Sequence, residues 1–194
     1  MTDSAQRKRI LDAAQDKLNR FGIRRVTMDD LARELRISKK TVYVHFPDKQ
    51  ALVRACIERV AAEMIPELEK ALRARIPARD KLIAMAQTLS LIRRSLSTEL
   101  LADLQTEYPQ LWEEIAQRRH TMLVGFEKFF VQAVKNGELR RGVHPKVALR
   151  VVIAIIENVM VPNVLAAGEF SHAEAAETIA TLLENGLLQQ PKKR

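Results

Sequence analysis

Hydrophobic positions recur at spacings of three and four along almost the whole chain, which is the period of helices buried on one face. Ile10, Ala13, Ala14, Leu18 and Phe21 form the first such stripe. It predicts a helix over Ser4–Phe21, with Ser4 as its cap and Gly22 as its stop. Thr27 precedes Met28-Asp29-Asp30, a cap followed by two acids where the helix dipole favours them, and that helix reaches Leu35. Ser38 caps another short helix ending near His45-Phe46. Asp48 caps a longer one running through Leu52, Val53, Cys56, Ile57, Val60 and Met64, with Pro66 and Pro77 expected to break or kink its continuation. Further helices are predicted at 78–96, 99–106, 108–136, 145–167 and 172–188. Asn136-Gly137 and Gly142 mark a loop, and Ser171 with Glu174 forms a capping box for the last helix. β-Branched residues fall singly inside these patterns, never in alternating runs, and no period of 20 to 50 residues repeats. The expected fold is all-α, with about nine helices.

Composition narrows the function classes. The 194 residues are 47% apolar and 29% charged, the mix of a folded globular chain. The most apolar stretch, Val147–Leu165, carries Arg150, Glu157, Asn158, Pro162 and Asn163, which argues against a membrane span. MTDSAQRKRI has no apolar run after its basic residues, so a secretory signal is not expected and a cytoplasmic protein is. The single cysteine, Cys56, rules out an intrachain disulfide. Its helical spacing with Leu52 and Val60 favours a buried, inert thiol over a redox sensor. His45, His120, His144 and His172 lack metal-ligand spacing, and no nucleophile–base pair or phosphate loop is visible. No enzyme, metal or cofactor is expected.

Charge changes the picture more. The formal net charge is +8, which favours a polyanionic partner. It is unevenly placed: residues 1–50 carry twelve Lys/Arg and seven Asp/Glu, residues 51–190 carry seventeen of each, and the final Pro191-Lys192-Lys193-Arg194 supplies the rest. A basic head at 1–50, a neutral body at 51–190 and a charged tail at 191–194 are the expected divisions.

Within the head, MDDLARELRISKKTVYVHFP (28–47) holds two short helices around a tight connection, Arg36-Ile37-Ser38. Leu31, Leu35, Ile37, Val42 and Phe46 supply apolar contacts, and small Ala32 lets the helices cross closely. This is a helix-turn-helix pattern, whose second helix enters the DNA major groove. Lys39 and Lys40 stand at the start of that helix, followed by Thr41, Tyr43 and His45, and Lys49 opens the next. Cations and hydroxyls of this kind suit phosphates and base edges. A basic helical face could also bind a protein or anionic lipid, but that would not require the ordered Thr41–Lys49 run.

From Arg9 to Ile57 the chain resembles the TetR family of bacterial transcriptional repressors. Phe21-Gly22, Thr27-Met28, Ile37-Ser38 and above all Thr41-Val42-Tyr43-Val44-His45-Phe46-Pro47-Asp48-Lys49-Gln50-Ala51-Leu52 carry the likeness. The resemblance implies a three-helix DNA-binding domain, a helical domain for ligand binding and dimerisation, and a homodimer on near-palindromic operator DNA. It implies DNA contacts at Arg25, Thr27, Lys39, Lys40, Thr41, Tyr43, His45 and Lys49. Of these, Tyr43 and Lys49 would hold phosphates, while Lys39, Lys40 and Thr41 would reach base edges. Two positions depart from many relatives, which have glycine where this chain has Arg36 and Lys40. A left-handed backbone at Arg36 would cost about 1–2 kcal/mol.

The remaining residues suggest a sensor for a small apolar or amphipathic effector. Leu82, Met85, Ala86, Leu89 and Ile92 share one face, and Trp112, Ile115, Met122, Leu123, Phe126, Phe129, Phe130 and Val134 form a broad stripe. Thr88, Arg93, His120, Glu157 and Asn158 place polar groups beside these apolar ones, as a pocket requires. The candidate lining is Met85, Thr88, Leu89, Ile92, Trp112, His120, Phe126 and Asn158, although each apolar member also suits ordinary core. Pro162 would leave the Asn158 carbonyl without its helical partner. The resemblance implies that the helices 145–167 and 172–188, with their wide apolar faces, form the dimer surface, and two dimer-related recognition helices roughly 34 Å apart could occupy successive major grooves.

Overall fold

The computed structural model of the chain describes residues 2–81, 84, 95–124, 126–159, 164, 167 and 170–188. Its helices are α1 (Asp3–Phe21), α2 (Met28–Leu35), α3 (Lys39–His45), α4 (Lys49–Arg73), α5 (Thr98–Glu107), α6 (Pro109–Val124), α7 (Glu127–Lys135), α8 (Pro145–Val159) and α9 (His172–Leu187). No strand occurs among the described residues, where an isolated antiparallel bridge joins Leu139 to Leu188. The fold is all-α.

Local capping chemistry sets most of the helix starts. The Thr27 hydroxyl accepts the Asp30 N–H at 3.1 Å, and the Asp30 carboxylate accepts the Thr27 N–H at 3.1 Å. Ser38 Oγ accepts the Thr41 N–H at 3.0 Å, and Asp48 Oδ1 the Ala51 N–H at 2.7 Å. Ser171 and Glu174 close the reciprocal box that opens α9.

Three expectations are corrected. Thr2, not Ser4, caps α1, and this puts Asp3 in the first turn, where a carboxylate meets the positive end of the dipole. Pro66 does not break α4, which runs through it to Arg73, although the helix does end before Pro77. Ala62, whose carbonyl loses its helical donor to Pro66, is exposed, so water can take that bond. The predicted helix 108–136 is two helices, α6 and α7. Gly125, a residue type costly to a helix interior, lies in the sequence between them, and Phe126 occupies the turn before α7. The prediction for 78–96 falls mainly on residues outside those described, as do Pro162 and the end of 145–167.

The chain divides into two compact units, Met1–Glu63 with Arg94–Glu113, and Met64–Arg93 with Glu114–Arg194. In the first, α1 packs on α2 and α5, and α2 packs on α3. Ile10, Ala14, Leu18, Leu31, Val42, Phe46, Leu52, Val53, Leu100 and Leu104 are buried there. Buried Gln15 is satisfied by the Ser95 carbonyl at 2.8 Å and by the Arg59 guanidinium at 3.2 Å. In the second, α7 packs on α8 and α8 on α9. Its core gathers Leu68, Ala78, Phe126, Phe129, Phe130, Ala133, Leu139, Ala148, Leu149, Val152, Ile153 and Leu188. Phe129 and Phe130 meet edge to face, 5.0 Å between centroids.

Candidate nucleic-acid interface

The turn between α2 and α3 is made by one left-handed residue. Arg36 has φ 53° and ψ 44°, the only positive φ outside glycine among the described residues. Its N–H reaches the Arg33 carbonyl at 3.2 Å, and the Ile37 N–H reaches the Ala32 carbonyl at 3.0 Å. This is a Schellman closure built without glycine. Arg9 donates to the Leu35 carbonyl at 3.2 Å, satisfying another free end of α2. Ala32 is buried, as expected where the two helices cross.

α3 is anchored by Val42, and Phe46 follows it into the core with the Arg7 guanidinium 4.9 Å over its ring. The opposite face, at Lys40 and Val44, is exposed, and Tyr43 beside it is 46% exposed. The candidate contacts separate accordingly. Lys39 is exposed but ion-paired with Asp29. The Thr41 hydroxyl is hydrogen-bonded to Ser38 Oγ at 2.8 Å, and the Thr27 hydroxyl is engaged in its capping box. Arg25 is exposed. His45 does not share the outward face: its side chain is 6% exposed, with Nδ1 3.7 Å from the Asp3 carboxylate. It lies three residues from Val42 and so turns toward the same buried side. Lys49 is half-buried. Burial pushes its ammonium below the ordinary range, and the carboxylates of Glu107 and Asp103 pull the other way.

Sequence periodicity missed the support of this site by α5. Arg24 donates through its N–H to Asp103 at 3.0 Å, through Nε to Glu107 at 2.7 Å and through its terminal guanidinium nitrogen to Thr106 at 3.0 Å. The Asn19 amide bridges the Ser95 carbonyl and the Ser97 N–H, each at 2.9 Å. These partners lie 76 to 83 residues apart in the chain, beyond any local pattern.

Among the effector candidates, Met85, Thr88, Leu89 and Ile92 lie outside the described residues. Trp112 is half-buried, His120 is exposed, and Phe126 sits in the core of the second unit. Asn158 is exposed, and its amide donates to the Ala154 carbonyl at 2.8 Å. An open depression of about 410 Å³ on α6 is lined by Glu114, Gln117, Arg118 and Thr121, none of them among the candidates. Among the described residues no cluster of three His, Cys, Asp or Glu could hold a metal, and no helix is long and apolar enough to cross a membrane.

Residues 10–56 match the family model for bacterial regulatory proteins of the tetR family. That segment is a TetR-family DNA-binding segment. It is 26% identical over 167 residues to the uncharacterized HTH-type transcriptional regulator YvaF of Bacillus subtilis, covering 83% of this chain and 85% of that one. It is 24% identical over 159 residues to YvdT of the same organism, covering 80% of each. Solved structures share the fold at lower identity. A putative regulator from Saccharomonospora viridis in complex with choline superposes with TM-score 0.73 at 19% identity, covering 96% of this chain and all of that one. SmeT in complex with triclosan gives TM-score 0.68 at 19% identity, covering 97% and 96%. A TetR-family regulatory protein from Rhodococcus RHA1 gives 0.68 at 17%, covering 96% and 98%. The TetR match falls on α1 to α4, the segment that builds the helix-turn-helix, and the chain is a DNA-binding transcriptional regulator.

Proposed function

We propose that the chain is a repressor that binds near-palindromic operator DNA as a homodimer and is released by a small apolar or amphipathic effector. In this reading residues 1–50 read DNA, and residues 51–190 sense and dimerise. The observation that carries it is the outward face of α3, with exposed Lys40 and Tyr43 on a head of net charge +5. Tyr43 and Lys49 hold phosphates, Lys40 and Thr41 reach base edges, and Lys39 exchanges Asp29 for DNA. Arg25 and Thr27 flank the contact from just before α2, and His45, turned inward, positions α3. Exposed Val147 and Val151 on α8, with Leu182 on α9, support a dimer surface, since apolar side chains that stay exposed in one chain gain by burial in two. The choline and triclosan complexes of fold relatives support a small organic effector. Such a molecule weakens DNA binding by favouring a state in which the two heads are out of register.

Selection from random duplexes followed by binding titration tests this. A dimer by sedimentation, one enriched near-palindromic motif and an affinity that falls steeply with salt are expected. Lys40→Ala alters sequence preference, whereas Lys49→Ala weakens all sequences alike. A monomer with no enriched motif would overturn the reading. Thermal shift across a metabolite panel, then loss of DNA binding with each hit, tests the effector.

A further inference from the structure

The outward face of α3 contains a residue that hydrogen-bonding chemistry does not account for. Lys40 and Val44 stand four residues apart, on the side opposite buried Val42. Lys39 is paired with Asp29, Thr41 with Ser38, and His45 is turned toward Asp3. Lys40, Tyr43 and Val44 are the exposed residues of the helix that these contacts do not engage. Val44 is 70% exposed, the largest exposure of any bulky apolar side chain among the described residues. A lone exposed valine is ordinary elsewhere on a protein surface. Here it lies, near the C-terminal end of α3, on the exposed side of the second helix of a helix-turn-helix, the helix that enters the major groove.

Valine has no donor or acceptor, so it cannot read the hydrogen-bonding edge of any base. The major groove presents one apolar group, the C5-methyl of thymine, and small apolar side chains recognise it by contact. A β-branched side chain is already restricted at χ1 and loses little freedom on making that contact. We infer that Val44 is a specificity-determining residue that packs against a thymine methyl in each half-site. This rests on the DNA-binding reading above.

The test uses the full chain and the duplex it enriches from a random pool. Each thymine is replaced in turn by deoxyuridine, which removes only the C5-methyl. In each half-site one replacement weakens the native protein roughly fourfold, the equivalent of one methyl withdrawn from apolar contact. Val44→Ala binds the thymine and deoxyuridine duplexes equally, and its unchanged melting temperature shows that the fold is kept. The paired comparison separates contact from any change in the DNA itself. An enriched site without a sensitive thymine, or with the same sensitivity in Val44→Ala, overturns this inference and leaves DNA binding standing. Failure to enrich any site overturns the DNA-binding reading and this inference with it.

Discussion

Gly22 leaves the space that the carboxylate of Asp103 occupies: a Cβ at residue 22 would lie 2.5 Å from Asp103 Oδ2 and 3.4 Å from its Cγ. The same oxygen accepts the Arg24 N–H. The end of α1 therefore meets α5 through the Asp103 side chain, with none contributed by residue 22. Gly22 also has φ 74° and ψ 175°, a combination that only glycine adopts readily.

Gly22→Ala therefore carries two penalties, backbone strain and displacement of Asp103. It should lower stability by roughly 2–4 kcal/mol in urea denaturation. Adding Asp103→Ala removes the clash but not the strain, so the double variant recovers only part of the loss. Full recovery would show that the backbone at Gly22 is not strained.

Arg36 is the converse case, a left-handed residue with a side chain. Arg36→Gly relieves about 1–2 kcal/mol of strain and adds somewhat less than that in unfolded-chain freedom. A net gain of about 0.5–1 kcal/mol is expected, visible as a rise of about 2 °C in the melting temperature. A fall would mean that Arg36 makes a compensating contact.

Cys56 is fully buried, and burial pushes its thiol up from 9.0 to about 12. At pH 8 this leaves roughly a thousandfold less thiolate than an ordinary cysteine would have. Ellman's reagent should accordingly react with the native protein only as fast as it opens, and at once in denaturant. Rapid native labelling would restore the redox-sensor reading.

The Asp30 carboxylate is held below its ordinary 3.8 by the Thr27 hydroxyl and then by the Thr27 N–H. A depressed carboxylate stabilises the fold in full above its unfolded value and loses that contribution as pH falls through its folded value. Asp30→Ala should melt earlier than the native protein at pH 6, and the gap should close as pH drops below 3.8. A gap independent of pH would mean that the cap does not depend on the charge.

The caps at Thr27, Ser38, Asp48 and Ser171 were legible because each bond spans three residues, which a short window of sequence contains. The core positions of α2 and α3 were legible for a related reason, since helical period identifies the apolar face. The outward face of α3 was only half legible. Lys40 and Tyr43 are exposed, and their polar chemistry had already singled them out, whereas Val44 drew no attention because its side chain offers no hydrogen bond. His45 looked equally suitable until the turn at Arg36 oriented α3.

The sequence by itself determined an all-α chain, a basic head with a helix-turn-helix at 28–47, and a thiol at a core position. These follow from short-range spacing and from charge, which survive without coordinates. Only the tertiary structure decided which side chains of α3 remain available, how Lys39 is paired with Asp29, and that α5 docks on α1 through Gly22, Arg24 and Asp103. Periodicity states that a helix has an apolar face, but it does not carry what covers that face. That depends on contacts between residues up to 83 positions apart, which arise only when the whole chain is packed.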